Sequence, residues 1–207
     1  MTTAVHLDRS VQVMADLAAL LPWFTPPRDA RVENLSVACA LACACYALPG
    51  YAREIGGAGQ PRMWPFSTGY LPVEDRYGEL LAAAGFAMAA HGQLHPKRPT
   101  DQVLSTVQDR RRTLVGPVPG DPARSARASA VDALALAAAC YALPPFARRT
   151  GVQDLPLLWP WPARLWSTQN RESDLITAIG LLVAELERHA EPTRRRPVLT
   201  VMPGGVR

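Results

Sequence analysis

The chain has 207 residues, 48% of them apolar and 19% charged, with a formal net charge of +4. This excludes a wholly disordered chain, and 14 glycines are too few for a collagen-like or glycine-rich repeat. The longest near-apolar run, residues 35–49, falls short of the roughly 20 residues that span a bilayer. Asp8, Arg9 and Asp16 leave no signal-peptide pattern near the start, so a soluble cytoplasmic protein without membrane contact is expected.

The spacing of apolar residues predicts a first helix over residues 8–21, followed by a proline-rich loop over 22–30. An alanine-rich helix follows over 32–48, ended by Pro49, since proline cannot continue a helix. A long irregular loop carries Trp64-Pro65, and a third helix spans 74–92. The order then repeats. A helix over 101–115 follows the cap Thr100, a loop covers 116–124, and an alanine-rich helix covers 129–143 before Pro144. Trp159-Pro160 lies in the next loop, and a last helix spans 170–189. Residues 198–202 read as a short strand or simply as tail.

This order is an internal repeat. Cys45-Tyr46-Ala47-Leu48-Pro49 returns as Cys140-Tyr141-Ala142-Leu143-Pro144, an offset of 95, and Trp64-Pro65 returns at the same offset. Without a gap, residues 35–94 and 130–189 share 21 identities in 60 positions. The expected architecture is all-α: a tandem duplication of a three-helix unit, residues 1–98 and 99–193, forming a pseudo-twofold bundle. A basic tail, 194–207, follows. Alanine faces allow close helix approach, so the two alanine-rich helices are expected to meet.

Cys39, Cys43, Cys45 and Cys140 read as small core residues, with no disulfide and no metal site. None of His6, His91, His95 and His189 pairs with acidic residues at ligand spacing. His91 and His95 are four apart, but Gly92 lies between them and Pro96 follows, so a helix end is expected. Glu185 and Glu187 read as solvated surface, as do Arg110-Arg111-Arg112, and Arg194-Arg195-Arg196 reads as tail. Nucleic acid is not an expected partner at +4; self-association stays open. No nucleophile elbow and no phosphate loop are present.

Tyr141, Trp159-Pro160-Trp161, Arg171 through Asp174-Leu175, and Ala184-Glu185-Leu186-Glu187-Arg188 together resemble a widespread group of small phage and prophage proteins about one unit long. The resemblance implies an origin and a helical fold, and no particular activity. It has departures. The group's His-Asp-Asp-x-His stretch falls on Ser125-Ala126-Arg127-Ala128-Ser129 and on Ala30-Arg31-Val32-Glu33-Asn34, and its Gly-Glu pair falls on Asp132-Ala133 and Val37-Ala38. Any metal site in that stretch would be lost here.

The loops carry the candidate binding residues. Stiff tryptophans beside arginines suit a base and a phosphate. Trp159, Trp161, Trp166, Arg164, Arg171 and Arg148 form the set in the second unit, and Trp64, Arg62, Arg76 and Arg53 the set in the first. Trp64 and Trp159 read equally as hydrophobic lids. The leading expectation is a non-catalytic protein, without cofactor, that sequesters a nucleotide-like signal as counter-defence sponges do. The alternatives are a divergent nucleotide hydrolase using Asp75, Glu79 or Asp174, and a structural or protein-interaction module.

Overall fold

The computed structural model describes residues 2–115, 131–151 and 154–190, and side chains there except those of residues 2–8 and Ala58. Six α-helices occupy these residues: α1 (Thr2–Leu20), α2 (Leu35–Ala47), α3 (Arg76–Leu94), α4 (Thr100–Val115), α5 (Ala133–Ala142) and α6 (Arg171–His189). No strand occurs among the described residues, only three isolated bridges. The expected strand at 198–202 lies outside them.

Local chemistry sets the boundaries. α2 starts at Leu35 rather than at residue 32 because the Asn34 side chain accepts the Val37 N–H at 3.2 Å. Asp75 caps α3 by accepting from Gly78 N at 2.7 Å, and Asn170 caps α6 by accepting from Ser173 N at 2.8 Å. α2 and α5 stop where the sequence places a proline: Leu48 and Leu143 turn extended, at ψ 131° and 133°, as a residue before proline must. α5 begins only at Ala133, because Asp132 sits in the left-handed region at φ 58°. α3 runs past Gly92 to Leu94. Glycine weakens a helix by about 1 kcal/mol relative to alanine without breaking it, so Pro96 sets the end instead.

The core is a four-helix arrangement. α2 packs on α3 and α5 on α6; α3 meets α6 and α2 meets α5. α4 lies along α6, and α1 touches α6 and α3. α2 and α5 carry no polar face and are buried nearly all round. The four cysteines sit within this core as free thiols, and burial pushes each thiol up to about 12. No described helix is long and apolar enough to cross a membrane.

Two surface expectations are corrected. Glu185 and Glu187 are 1% and 7% exposed. α6 is covered by α3, α4 and α5 at once, so its charged side must be buried and therefore paired. Arg111 meets Glu187 through both Nε and Nη2, and Arg188 and His189 flank Glu185 at 2.9 and 3.3 Å. The arginine run 110–112 is correspondingly not all solvated. Only Arg112 stays on the surface, beside Asp109. Arg194–Arg196 lie outside the described residues.

Candidate functional site

The helix ends that Pro49 and Pro144 create leave orphan carbonyls with partial negative charge. Four of the candidate arginines close on them. In the first unit, Arg53 donates from Nε to Leu48 O at 2.6 Å and from Nη2 to Tyr46 O at 3.2 Å. Arg76 donates to Tyr46 O at 3.0 Å and Ala47 O at 2.6 Å. Glu79 bridges the two guanidiniums at 2.6 and 3.0 Å.

In the second unit, Arg148 donates to Leu143 O at 2.8 Å and to Tyr141 O at 3.3 Å. Arg171 donates to Tyr141 O at 3.1 Å and to Ala142 O. Asp174 holds Arg148 at 2.9 Å. Burial, then the neighbouring Arg148, lowers the Arg171 guanidinium to about 10. These four side chains thus anchor the ends of α2 and α5.

The aromatic residues of the loops stack on the same helix ends. Trp64 and Trp159 are 6% and 9% exposed. Each sets its ring edge-on to a helix tyrosine, Trp64 to Tyr46 at 5.8 Å and Trp159 to Tyr141 at 5.7 Å. Trp64 Nε1 donates to Thr68 O at 2.7 Å. Trp166 tilts over Tyr141 at 4.8 Å and 35°, as Tyr70 tilts over Tyr46 at 4.8 Å and 33°. Arg148 lies 5.3 Å from the Trp166 ring centre. Trp161 is edge-on to Trp159 at 5.1 Å, with its Nε1 buried and unpartnered. Arg62 and Arg164 are exposed; Arg62 stands 3.8 Å from Glu54.

No family model matches the chain, and no curated protein or solved structure matches it.

One cavity adjoins the second aromatic cluster. It has a volume of about 150 Å³ and lies between α4, α6 and the loop before α6. Tyr141 and Asp174 line it together with Arg110, Ser167, Gln169 and Ser173. Tyr141 Oη donates to Ser167 O at 3.1 Å, and Ser173 Oγ donates to Gln169 Oε1 at 2.9 Å. Arg110 Nη2 donates to Ser173 Oγ at 3.1 Å, leaving other guanidinium donors uncommitted among the described residues.

Arg110 was not among the sequence candidates, since the arginine run hid it. The 95-residue offset holds the clue to the cavity. Ser173 stands where the first unit has Gly78, and a Cβ at Gly78 would lie 2.6 Å from Val73 Cγ1. In the first unit that space is therefore taken by Val73.

The sequence also missed a second grouping. His91, His95 and Glu172 bring one potential ligand atom each to within 4.8 Å of one another. Two of these come from the end of α3 and the third from the start of α6.

Proposed function

We propose that this chain is a non-catalytic small-ligand-binding protein of phage or prophage descent, built as a tandem duplication in a pseudo-twofold bundle. Its second half holds the anionic part of a nucleotide-like molecule, sequestered without turnover. The duplication is supported by bonds that recur at the 95-residue offset: Arg53 to Leu48 and Arg148 to Leu143, Arg76 to Tyr46 and Arg171 to Tyr141, Glu79 and Asp174 in the same pairing. The pseudo-twofold arrangement is supported by the ion pair of Glu54 with Arg149. These residues are 95 apart, and a twofold axis brings equivalent positions into contact with each other.

The observation that carries the binding reading is Arg110 at a polar cavity with donors to spare. A guanidinium with free donors suits phosphate or carboxylate. At about 150 Å³ the cavity takes one such group rather than a whole nucleotide, since pockets for complete small molecules run to roughly 300–1,000 Å³. The remainder of the ligand would lie along the loop of Trp161, Arg164 and Trp166, which leads directly into Ser167 at the cavity wall.

Isothermal titration against a panel of cyclic nucleotides and ADP-ribose derivatives tests this. Wild type should bind one member, and Arg110→Ala should weaken it by at least about tenfold, the cost of one charge-assisted contact. No binding to any member at high micromolar concentration removes the reading.

The hydrolase alternative finds its carboxylates engaged: Asp75 caps α3, while Glu79 and Asp174 hold arginines. The interaction-module alternative draws on Tyr51 and Phe146, equivalent at the 95-residue offset and each 75% exposed. Loss of a partner's binding on exchanging both for serine, with nucleotide binding absent, would favour it.

A further inference from the structure

α3 carries His91 one turn before its end and His95 at its C-cap. α6 delivers Glu172 in its first turn. His91 is 1% exposed, and its Nε2 has no hydrogen-bond partner. A buried ring nitrogen left unpaired is costly, and native proteins rarely keep one without a use.

Glu172 Oε1 stands 3.9 Å from it, too far for a hydrogen bond. His95 Nε2 stands 3.1 Å from Glu172 Oε2, and the two imidazole rings are 5.3 Å apart. Arg98 donates to Glu172 Oε1.

We propose that His91, His95 and Glu172 bind one divalent transition-metal ion of the Zn²⁺ type, joining α3 to α6. Two imidazoles and a carboxylate are a recognised donor set for zinc and its neighbours, and a poor one for Ca²⁺ or Mg²⁺. Around a tetrahedral ion with bonds of 2.0–2.2 Å, donor atoms stand about 3.4 Å apart. The two imidazole-to-carboxylate separations, 3.1 and 3.9 Å, lie on either side of that figure, and all three donor atoms fall within 4.8 Å of one another.

Arg98 fits as the outer partner that orients the carboxylate. The side chains of His95 and Glu172 are 35% and 33% exposed, so two of the three donors are open to solvent. Three protein ligands leave a fourth position for water or an anion.

The site is single. At the 95-residue offset His91 faces Leu186, His95 faces Ala190 and Glu172 faces Tyr77, none of which could take the place of the originals as a set. The proposal is also independent of the nucleotide reading, because it shares no residue with the Arg110 cavity.

The full chain, stripped with chelator, is titrated with ZnCl₂ by calorimetry and with CoCl₂ by visible absorption. One equivalent of Zn²⁺ should bind, and Co²⁺ should give the intense ligand-field bands of a four- or five-coordinate ion. His95→Ala and Glu172→Gln should each weaken binding by at least about tenfold, the lower end of what even outer-sphere losses cost. His91→Ala should do the same, with circular dichroism confirming that it folds. If it does not fold, the half-exposed His95 carries the test. His189→Ala should leave the affinity unchanged. Absence of saturable uptake in the hundred-micromolar range, or uptake indifferent to His95→Ala and Glu172→Gln, overturns the proposal.

Discussion

The two halves of the molecule close their alanine-rich helices alike and fill the space around them differently. Both end an alanine-rich helix at a proline, close the end with two arginines and a carboxylate, and set a tryptophan edge-on to the helix tyrosine. The first half then packs tightly: Phe66 and Phe86 join Tyr46, Trp64 and Tyr70 in one aromatic cluster. In the second half Phe86 is matched by Leu181 and Gly78 by Ser173, and a cavity opens beside Tyr141. What both halves keep is the clamp at the helix end.

The halves should separate most clearly in alkali. A thiol whose folded value is raised contributes stability that is intact below its unfolded value and lost as pH rises above it. With unfolded values near 9.0 and folded ones of about 12, each cysteine should cost about 1.4 kcal/mol per unit above pH 9. Thermal unfolding between pH 8 and 10.5 should show the decline. Replacing Cys39, Cys43 and Cys45 by alanine should flatten it more than replacing Cys140, since three of the four thiols lie in the first half.

The clamps come next. Arg148→Ala leaves Asp174 buried without its cation and should cost about 3–5 kcal/mol by urea unfolding. Arg53→Ala leaves Glu79 still paired with Arg76 and should cost about 1–3 kcal/mol. Equal losses would refute the idea that the second clamp has less redundancy.

The smallest effect on stability should come from making the second half resemble the first. Ser173→Gly with Gln169→Val puts a glycine and a valine where the first half has Gly78 and Val73, since Trp166 and Ser167 already take the places of Tyr70 and Leu71, one residue beyond the gap-free offset. Stability should fall by about 1 kcal/mol, the cost of a helix glycine and the lost Ser173 hydroxyl bonds, while the ligand found by titration should bind at least about tenfold more weakly. Unchanged binding would separate the ligand from the cavity.

Much of the helical order was legible because prolines and capping residues mark boundaries locally. Asn34, Asp75 and Asn170 each bond an N–H three residues on, and Pro49 and Pro144 each force the residue before them out of the helix. What depends on distant packing was not legible. Periodicity treats charge as outward, so Glu185 and Glu187 read as surface until three neighbouring helices enclosed them. A gap-free offset pairs Trp166 with Leu71, whereas in space its ring takes the part of Tyr70, one residue earlier.

The arginines of the loops were legible as a set, but not their placement at carbonyls, since a sequence cannot show that a helix end lies within reach. Glu172 joins His91 and His95 only through the packing of α3 on α6.

The clamp also bears on the chain's leaning toward arginine, 21 residues against the lone Lys97. At exposed positions either cation would serve. At Arg53, Arg76, Arg148 and Arg171 an ammonium would not serve, because a compact point charge cannot span successive carbonyls as a flat fork does. Exchange for lysine should thus be free at Arg62 and Arg164 and closed at these four.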